Sequence, residues 1–224
     1  MNRLILFDVD RTLIGRSQCH HDAFSYAFKK VYDVDVDIRI IDYGGMTDPD
    51  IAIQVLKKIG LNESEILPKL DQCMDMIVDY FQNNIKRDKI PILPGVRALL
   101  ELLTNDGILL GLITGNLEPV AWGKLKSIKI AHYFKLGGFG SDNINRTELV
   151  KIAVKKAEDD FNFNGKVFVV GDTPRDIKAG FEANTVTIAV ATGTYSVDEL
   201  KNYGPDFVFE TLENKEEILD VLLK

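Results

Sequence analysis

Two aspartates one residue apart, Asp8 and Asp10 in "LILFDVDRTL", close an apolar run from Leu4 to Phe7. Residues i and i+2 of an extended chain point to the same side, so these carboxylates project together wherever the strand conformation persists. A third acid, Asp172, follows the apolar run "VFVVG", and Thr114 follows "ILLGLI". Three carboxylates at one place repel, and some take up protons unless a cation is present. Oxygen donors with no soft partner suit Mg2+.

The elements that must position these groups are short and apolar. "LILF" at 4–7, "ILLGLI" at 108–113, "VFVV" at 167–170 and "VTIAV" at 186–190 read as strands, with "FVF" at 207–209 as a weaker fifth. None alternates with polar residues, which is the pattern of a parallel sheet covered on both sides. Helical spacing lies between them: Val96 to Leu103, and Glu148 to Ala157 with Leu149, Ile152, Ala153 and Ala157 on one face. Alternating strand and helix predicts a doubly wound α/β fold. Asp8, Thr114 and Asp172 then fall at one edge, the carboxyl ends of the strands, where open α/β sheets bind ligands.

Residues 16 to about 88 break this alternation. His20–Tyr32, Ile51–Ile59 and Ile66–Ile85 read as helices, and "TDPD" at 47–50 is a helix start with Thr47 or Asp48 as N-cap. The expected organisation is a core of residues 1–15 and 89–224 with a helical cap, 16–88, inserted after the first strand. "RDKIPILPG" at 87–95 is the return crossing.

Length and composition set the outer bounds. The 224 residues suffice for one large domain with an insert. Net charge is −7, against a general nucleic-acid binder, although a local cation can still hold a small anion. No apolar run approaches the ~20 residues of a membrane helix. Two separated cysteines and three histidines do not make a zinc site. A cytoplasmic location, no nucleic-acid or membrane partner, and a monomer are the expectations.

The chain resembles the haloacid dehalogenase superfamily in its phosphatase branch. "DVDRT" (Asp8 to Thr12) matches that family's D-x-D-x-[TV], Thr114 in "LITGN" its second motif, and "GDTPRD" (Asp172, Asp176) its acidic loop. The resemblance runs along essentially the whole chain. It implies a phosphatase with Asp8 as nucleophile, Asp10 as general acid and base, and Thr114 on a phosphate oxygen with backbone N–H groups near Asp10 and Gly115. Mg2+ is implied on Asp8, the Asp10 backbone carbonyl and Asp172, with Asp176 in support. An aspartyl phosphate divides a slow hydrolysis into two easier steps.

Two positions depart from the family pattern. The usual lysine motif is absent; Arg146, just before a helix, is the expected cation, with Lys151 as runner-up. Arg11 stands where the family most often has glycine, which bears on the entrance to the site. Asp176 also reads as the N3 carboxylate of a helix started by Thr173 and Pro174. Asn116 binds substrate or shapes a turn. His20 either packs on the stripe through Phe24 and Phe28 or assists proton transfer near the cap hinge, as its offset in β-phosphoglucomutase-like relatives implies. "GGMTDPD", with Thr47, resembles the cap loop that reaches substrate.

The leading expectation is a Mg2+-dependent phosphatase of small phosphate monoesters, with phosphoglycolate phosphatase the nearest type and a small phosphorylated metabolite as substrate. A β-phosphoglucomutase-like mutase is the alternative, lowered by Thr47 where a basic cap residue is usual. A dehalogenase would lack Asp10, and a phosphonatase would need a marked cap lysine, which Lys29 and Lys30 are not. From another class, a phospho-acceptor or non-catalytic binding module shares the strand-end acids but not the insert.

Overall fold

A computed structural model describes residues 3–223. Six parallel strands form one sheet: β1 (Arg3–Phe7), β2 (Leu109–Thr114), β3 (Leu136–Phe139), β4 (Lys166–Gly171), β5 (Val186–Val190) and β6 (Phe207–Phe209), in the order β3-β2-β1-β4-β5-β6. Successive β1 side chains enter opposite layers. Ile5 and Phe7 join Leu110, Leu112, Phe168 and Val170 beneath α5 (Val96–Asn105) and α6 (Glu118–Ser127). Leu4 and Leu6 join Ile113 and Val169 beneath α7 (Arg146–Phe161) and α8 (Pro174–Glu182). Each such side chain contributes ~1.5–3 kcal/mol on full burial, which is why the strands read as continuous apolar runs.

β3 escapes the sequence pattern because it is "LGGF". Its glycines answer to packing: a Cβ on Gly138 would lie 2.0 Å from the Leu149 carbonyl oxygen, so α7 lies directly on the strand. Glycine has low strand propensity, and close backbone approach overrides it here.

Between β1 and α5 the chain forms a helical layer with its own apolar centre. α1 (Gln18–Tyr32) packs Ala23, Phe24, Ala27 and Phe28 with Cys73, Ile77 and Phe81 of α4 (Leu70–Asn84). α2 (Asp48–Lys58) adds Ile51, Ala52 and Val55. The single helix expected over Ile66–Ile85 is broken instead. α3 (Glu63–Ile66) ends before Pro68, a 3-10 turn spans Leu67–Lys69, and α4 follows. Proline lacks an N–H and disfavours helix at the preceding residue. The two crossings meet where Gly15 N–H donates to the Pro91 carbonyl (2.8 Å) and Leu93 N–H to that of Leu13 (3.0 Å). Asp88 then accepts from Ser17 Oγ (2.6 Å) and Cys19 N–H (3.1 Å), fixing the start of α1 to the return crossing. The short helices α9 (Val197–Lys201) and α10 (Lys215–Leu223) complete the fold. No helix among the described residues is long and apolar enough to cross a membrane.

Candidate active site

Strand order reverses beside β1, and the three central strands β2, β1 and β4 deliver Thr114, Asp8 and Asp172 to the same edge. Asp8 continues the sheet: its N–H donates to the Val170 carbonyl (2.8 Å). A cavity of about 170 Å3 opens over this edge. Its floor includes Asp8, Asp10, Thr114, Asn116 and Arg146, and the helical layer contributes His20, Phe24 and Asp48.

Asp8, Asp172 and Asp176 can each offer an oxygen within 4.8 Å of the other two, and all are buried. Burial, with the Asp176 and Asp10 charges, pushes Asp8 up to about 7 against the pull of Arg146. Burial and the charges of Asp8 and Asp176 push Asp172 up to about 8. Asp172 Oδ2 is a buried oxygen with no hydrogen-bond donor. Such an orphan costs free energy unless a cation or water meets it. An all-oxygen group with an unpaired buried carboxylate oxygen fits a hard divalent ion. Asp8 and Asp172 are the open donors. Asp176 is committed: its Oδ2 accepts from Thr173 N–H (3.0 Å) and Oγ1 (2.6 Å), closing the capping box of α8, and its Oδ1 accepts from Arg146. It therefore caps the helix and anchors the arginine together.

The raised acids set a pH dependence. In the metal-free folded chain they keep protons that ordinary aspartates, at 3.8, have lost. Their stabilising contribution is complete below that value and is lost as pH rises through about 7 and 8. The melting temperature in EDTA is expected to fall by ~4 °C or more between pH 5 and pH 8.5, and added Mg2+ to recover it at pH 8.5. Differential scanning fluorimetry reads both; a flat metal-free profile contradicts the assignment.

Arg146, the first residue of α7, is 8% exposed and bridges the acids. Its Nη2 donates to Asp8 Oδ1 (2.6 Å) and Asp176 Oδ1 (2.5 Å), its Nε to Asp176 Oδ1 (2.9 Å), and its Nη1 to the Gly45 carbonyl (3.3 Å). Burial opposes its charge, but Asp176 and Asp8 outweigh burial and hold it protonated. Lys151, the runner-up, pairs with Glu148 on the exposed face of α7 (2.7 Å). Thr114 Oγ1 accepts from Asn116 N–H (3.2 Å) and Nδ2 (2.6 Å). Its own proton has no acceptor among the described residues and is free for a ligand oxygen.

Asp10 does not join the acidic group through its carboxylate. Lys124 Nζ donates to Asp10 Oδ1 (2.8 Å) and Oδ2 (2.7 Å) and to Asn116 Oδ1 (2.6 Å), while Asn116 Nδ2 donates to Asp10 Oδ2 (2.7 Å). Burial would raise Asp10, but Lys124 and His20 outweigh it and hold the carboxyl below its usual range. A metal on Asp10 is thus left with its backbone carbonyl. The sequence reading missed Lys124, which is 1% exposed. A signal was present: it shares the buried face of α6 with Leu125, Ala121 and Val120, at spacings of one, three and four.

The helical layer meets the sheet edge at Asp48. Its N–H donates to the Gly115 carbonyl (2.7 Å), and its Oδ2 accepts from Leu117 N–H (2.8 Å) and lies 3.1 Å from His20 Nε2. His20 packs beside Phe24, with ring centroids 5.3 Å apart, and also lines the cavity. Thr47 differs from expectation. It is the backbone N-cap of α2, but its hydroxyl donates to the Ile144 carbonyl (3.4 Å) and it does not line the cavity. The cap loop lines the cavity instead with Gly44, Gly45, Met46 and Asp48. Gly115 makes the close fit possible, since a Cβ there would lie 2.0 Å from the Met46 carbonyl oxygen. Gly115→Ala is therefore expected to push the cap loop off the core and lower kcat/KM by ~10-fold or more. Steady-state kinetics with a circular-dichroism control checks this; unchanged kinetics contradicts it.

Arg11 takes the backbone conformation that glycine would suit, with φ 66°. The left-handed region costs a side-chain-bearing residue ~1–2 kcal/mol. Two hydrogen bonds hold it there: Arg11 N–H to the Ile14 carbonyl (2.6 Å), and Thr192 Oγ1 to the Arg11 carbonyl (2.5 Å).

The comparisons with known proteins agree with this geometry. The haloacid dehalogenase-like hydrolase profile matches residues 5–190. A protein named pyrophosphatase PpaX from Oceanobacillus iheyensis is 25% identical over 217 residues, 95% of this chain and 94% of that one. One named phosphoglycolate phosphatase from Aquifex aeolicus is 26% identical, with 97% of each chain covered. Among solved structures, a hydrolase from Pseudomonas syringae superposes with a TM-score of 0.73 at 20% identity over 99% of both chains. CbbY from Rhodobacter sphaeroides, solved in complex with phosphate, gives 0.74 at 17% identity over 96% of both. Sheet order, strand-end acids and a profile match over most of the length lead to one conclusion: this chain belongs to the haloacid dehalogenase-like hydrolases.

Proposed function

We propose that the protein is a Mg2+-dependent phosphatase that forms an aspartyl phosphate on Asp8 and acts on a small phosphorylated metabolite. The observation that carries this reading is the buried Asp8 carboxylate, gripped by Arg146 at 2.6 Å and placed beside the donorless oxygen of Asp172. Mg2+ on Asp8 and Asp172 would offset their charge and that of a phosphoryl group. Thr114 Oγ1 and the Arg146 guanidinium supply donors to phosphate oxygens. An Asp8 oxygen attacks phosphorus, the leaving group departs, and water then attacks the acyl phosphate with Asp10 as base.

Asp10 is suited to that second step, with Lys124 and Asn116 holding both oxygens. To protonate a leaving oxygen in the first step it must first take up a proton, which the Lys124 charge opposes. The arrangement therefore favours leaving groups stable as anions: phosphoanhydrides and aryl esters over alkyl esters. The relatives named pyrophosphatase support widening the substrate from monoesters to anhydrides. The test is hydrolysis of p-nitrophenyl phosphate with Mg2+ and with EDTA. Turnover that needs Mg2+ supports the reading, and metal-independent turnover contradicts it.

A further inference from the structure

We propose that a cleft beside the active-site cavity, lined by Arg11, Arg16, Thr192 and Thr194, binds a second anionic group of the substrate. This rests on the phosphatase reading and names the substrate class: a small molecule with a phosphoryl group at one end and a phosphate or carboxylate at the other. Arg11 and Arg16 line both the cavity over Asp8 and this second cleft, so the two spaces share both arginines. The other residues of the cleft are Gly15, Leu93, Thr192, Gly193 and Thr194, and no carboxylate is among them.

The charges are available. Among the described residues, every other arginine or lysine that lines the main cavity is paired with an acid: Arg39 with Asp37, Lys124 with Asp10, and Arg146 with Asp8 and Asp176. Among the described residues Arg11 and Arg16 have no carboxylate within 4.0 Å, although the charge of Arg11 is felt at Asp172. Arg11 donates to the neutral Thr194 Oγ1, and Arg16 is exposed. In a chain of net charge −7, two unpaired guanidinium groups at the mouth of an acidic site are a local reversal of sign. Arginine also matches the planar, two-oxygen geometry of phosphate and carboxylate.

The backbone adds an independent observation. Arg11 occupies a left-handed position in which glycine would be unstrained, held there by Thr192 and Ile14. Strain of this kind collects at ligand-binding positions. Gly193 of the cleft also packs directly against the acidic group, because a Cβ on it would lie 1.7 Å from Asp172 Oδ2.

Calorimetry tests this without requiring turnover. The probes are methylphosphonate, which has one anionic end, and phosphonoacetate and methylenediphosphonate, which add a carboxylate or a second phosphonate. Each is titrated at fixed free Mg2+ into the wild-type chain and into an Arg11→Gly, Arg16→Ser double variant. Arg11→Gly relieves the positive φ, so folding is not at risk from that change. At least one two-ended probe is expected to bind the wild type tenfold or more tighter than methylphosphonate, and that gap to fall at least fivefold in the variant. Whichever probe shows the gap identifies phosphate or carboxylate as the second group. A smaller wild-type gap, or one that the variant keeps, overturns the proposal. Hydrolysis of p-nitrophenyl phosphate is scored apart: its absence beside an intact binding gap sinks the phosphatase reading and leaves the anion cleft standing.

Discussion

Asp8→Asn is expected to lower Mg2+-dependent hydrolysis of p-nitrophenyl phosphate by at least ~10^3-fold, while the chain keeps its fold. Asparagine has the shape of aspartate but is not a nucleophile toward phosphorus. Its amide oxygen can still accept from Arg146 Nη2, while Nη2 keeps its bond to Asp176 and Nη1 its bond to the Gly45 carbonyl. The substitution removes one of three clustered buried carboxylates, and the one whose charge helps to raise Asp172. The melting temperature in EDTA at pH 8 is therefore expected to stay level or rise. Loss of activity with a stable fold separates a chemical role for Asp8 from a structural one. Activity that survives, or activity lost together with the fold, counts against the nucleophile assignment.

Lys124→Met is the second large effect. Methionine keeps most of the volume in the face that Lys124 shares with Val120 and Leu125. It leaves Asp10 with Asn116 as its remaining donor from this pair and strips Asn116 Oδ1 of its own. Breaking a fully buried pair costs ~3–5 kcal/mol. The Asp10 side chain is 33% exposed, so water can replace part of the loss, and ~1–3 kcal/mol is expected. The kinetic effect is larger. A carboxylate freed from its clamp no longer faces the attacking water in one geometry, and kcat is expected to fall ~10^2-fold. Chemical denaturation and steady-state kinetics read the two effects. A kcat within threefold of wild type would show that Lys124 only fills space.

The parts of this site that depend on strand ends were legible in the sequence. Asp8, Thr114 and Asp172 each follow an apolar run, and a parallel sheet has one carboxyl edge to which such runs can deliver. Arg146 was legible as the residue opening a helix after the second motif. What was hidden is what packing alone decides. β3 is masked by two glycines whose missing side chains let α7 approach. Lys124 looks like its neighbour Lys126, and only helix phase separates the buried one from the other. Asp48 reads as a helix-start acid, yet it also clips the cap to Leu117 and Gly115 across the cavity. Thr47 reads as a substrate contact, but the turn of the chain sends its hydroxyl to Ile144 instead. Local periodicity carries no information about contacts between segments as distant as these.

The central claim is that phosphorus passes through Asp8. A single turnover with p-nitrophenyl phosphate and Mg2+, quenched in acid and followed by peptide mass spectrometry, tests it most directly. One added phosphoryl group is expected on the peptide that carries Asp8, localised to that residue and absent in Asp8→Asn. Turnover without a phosphorylated intermediate, or a phosphoryl group on any other residue, would contradict it.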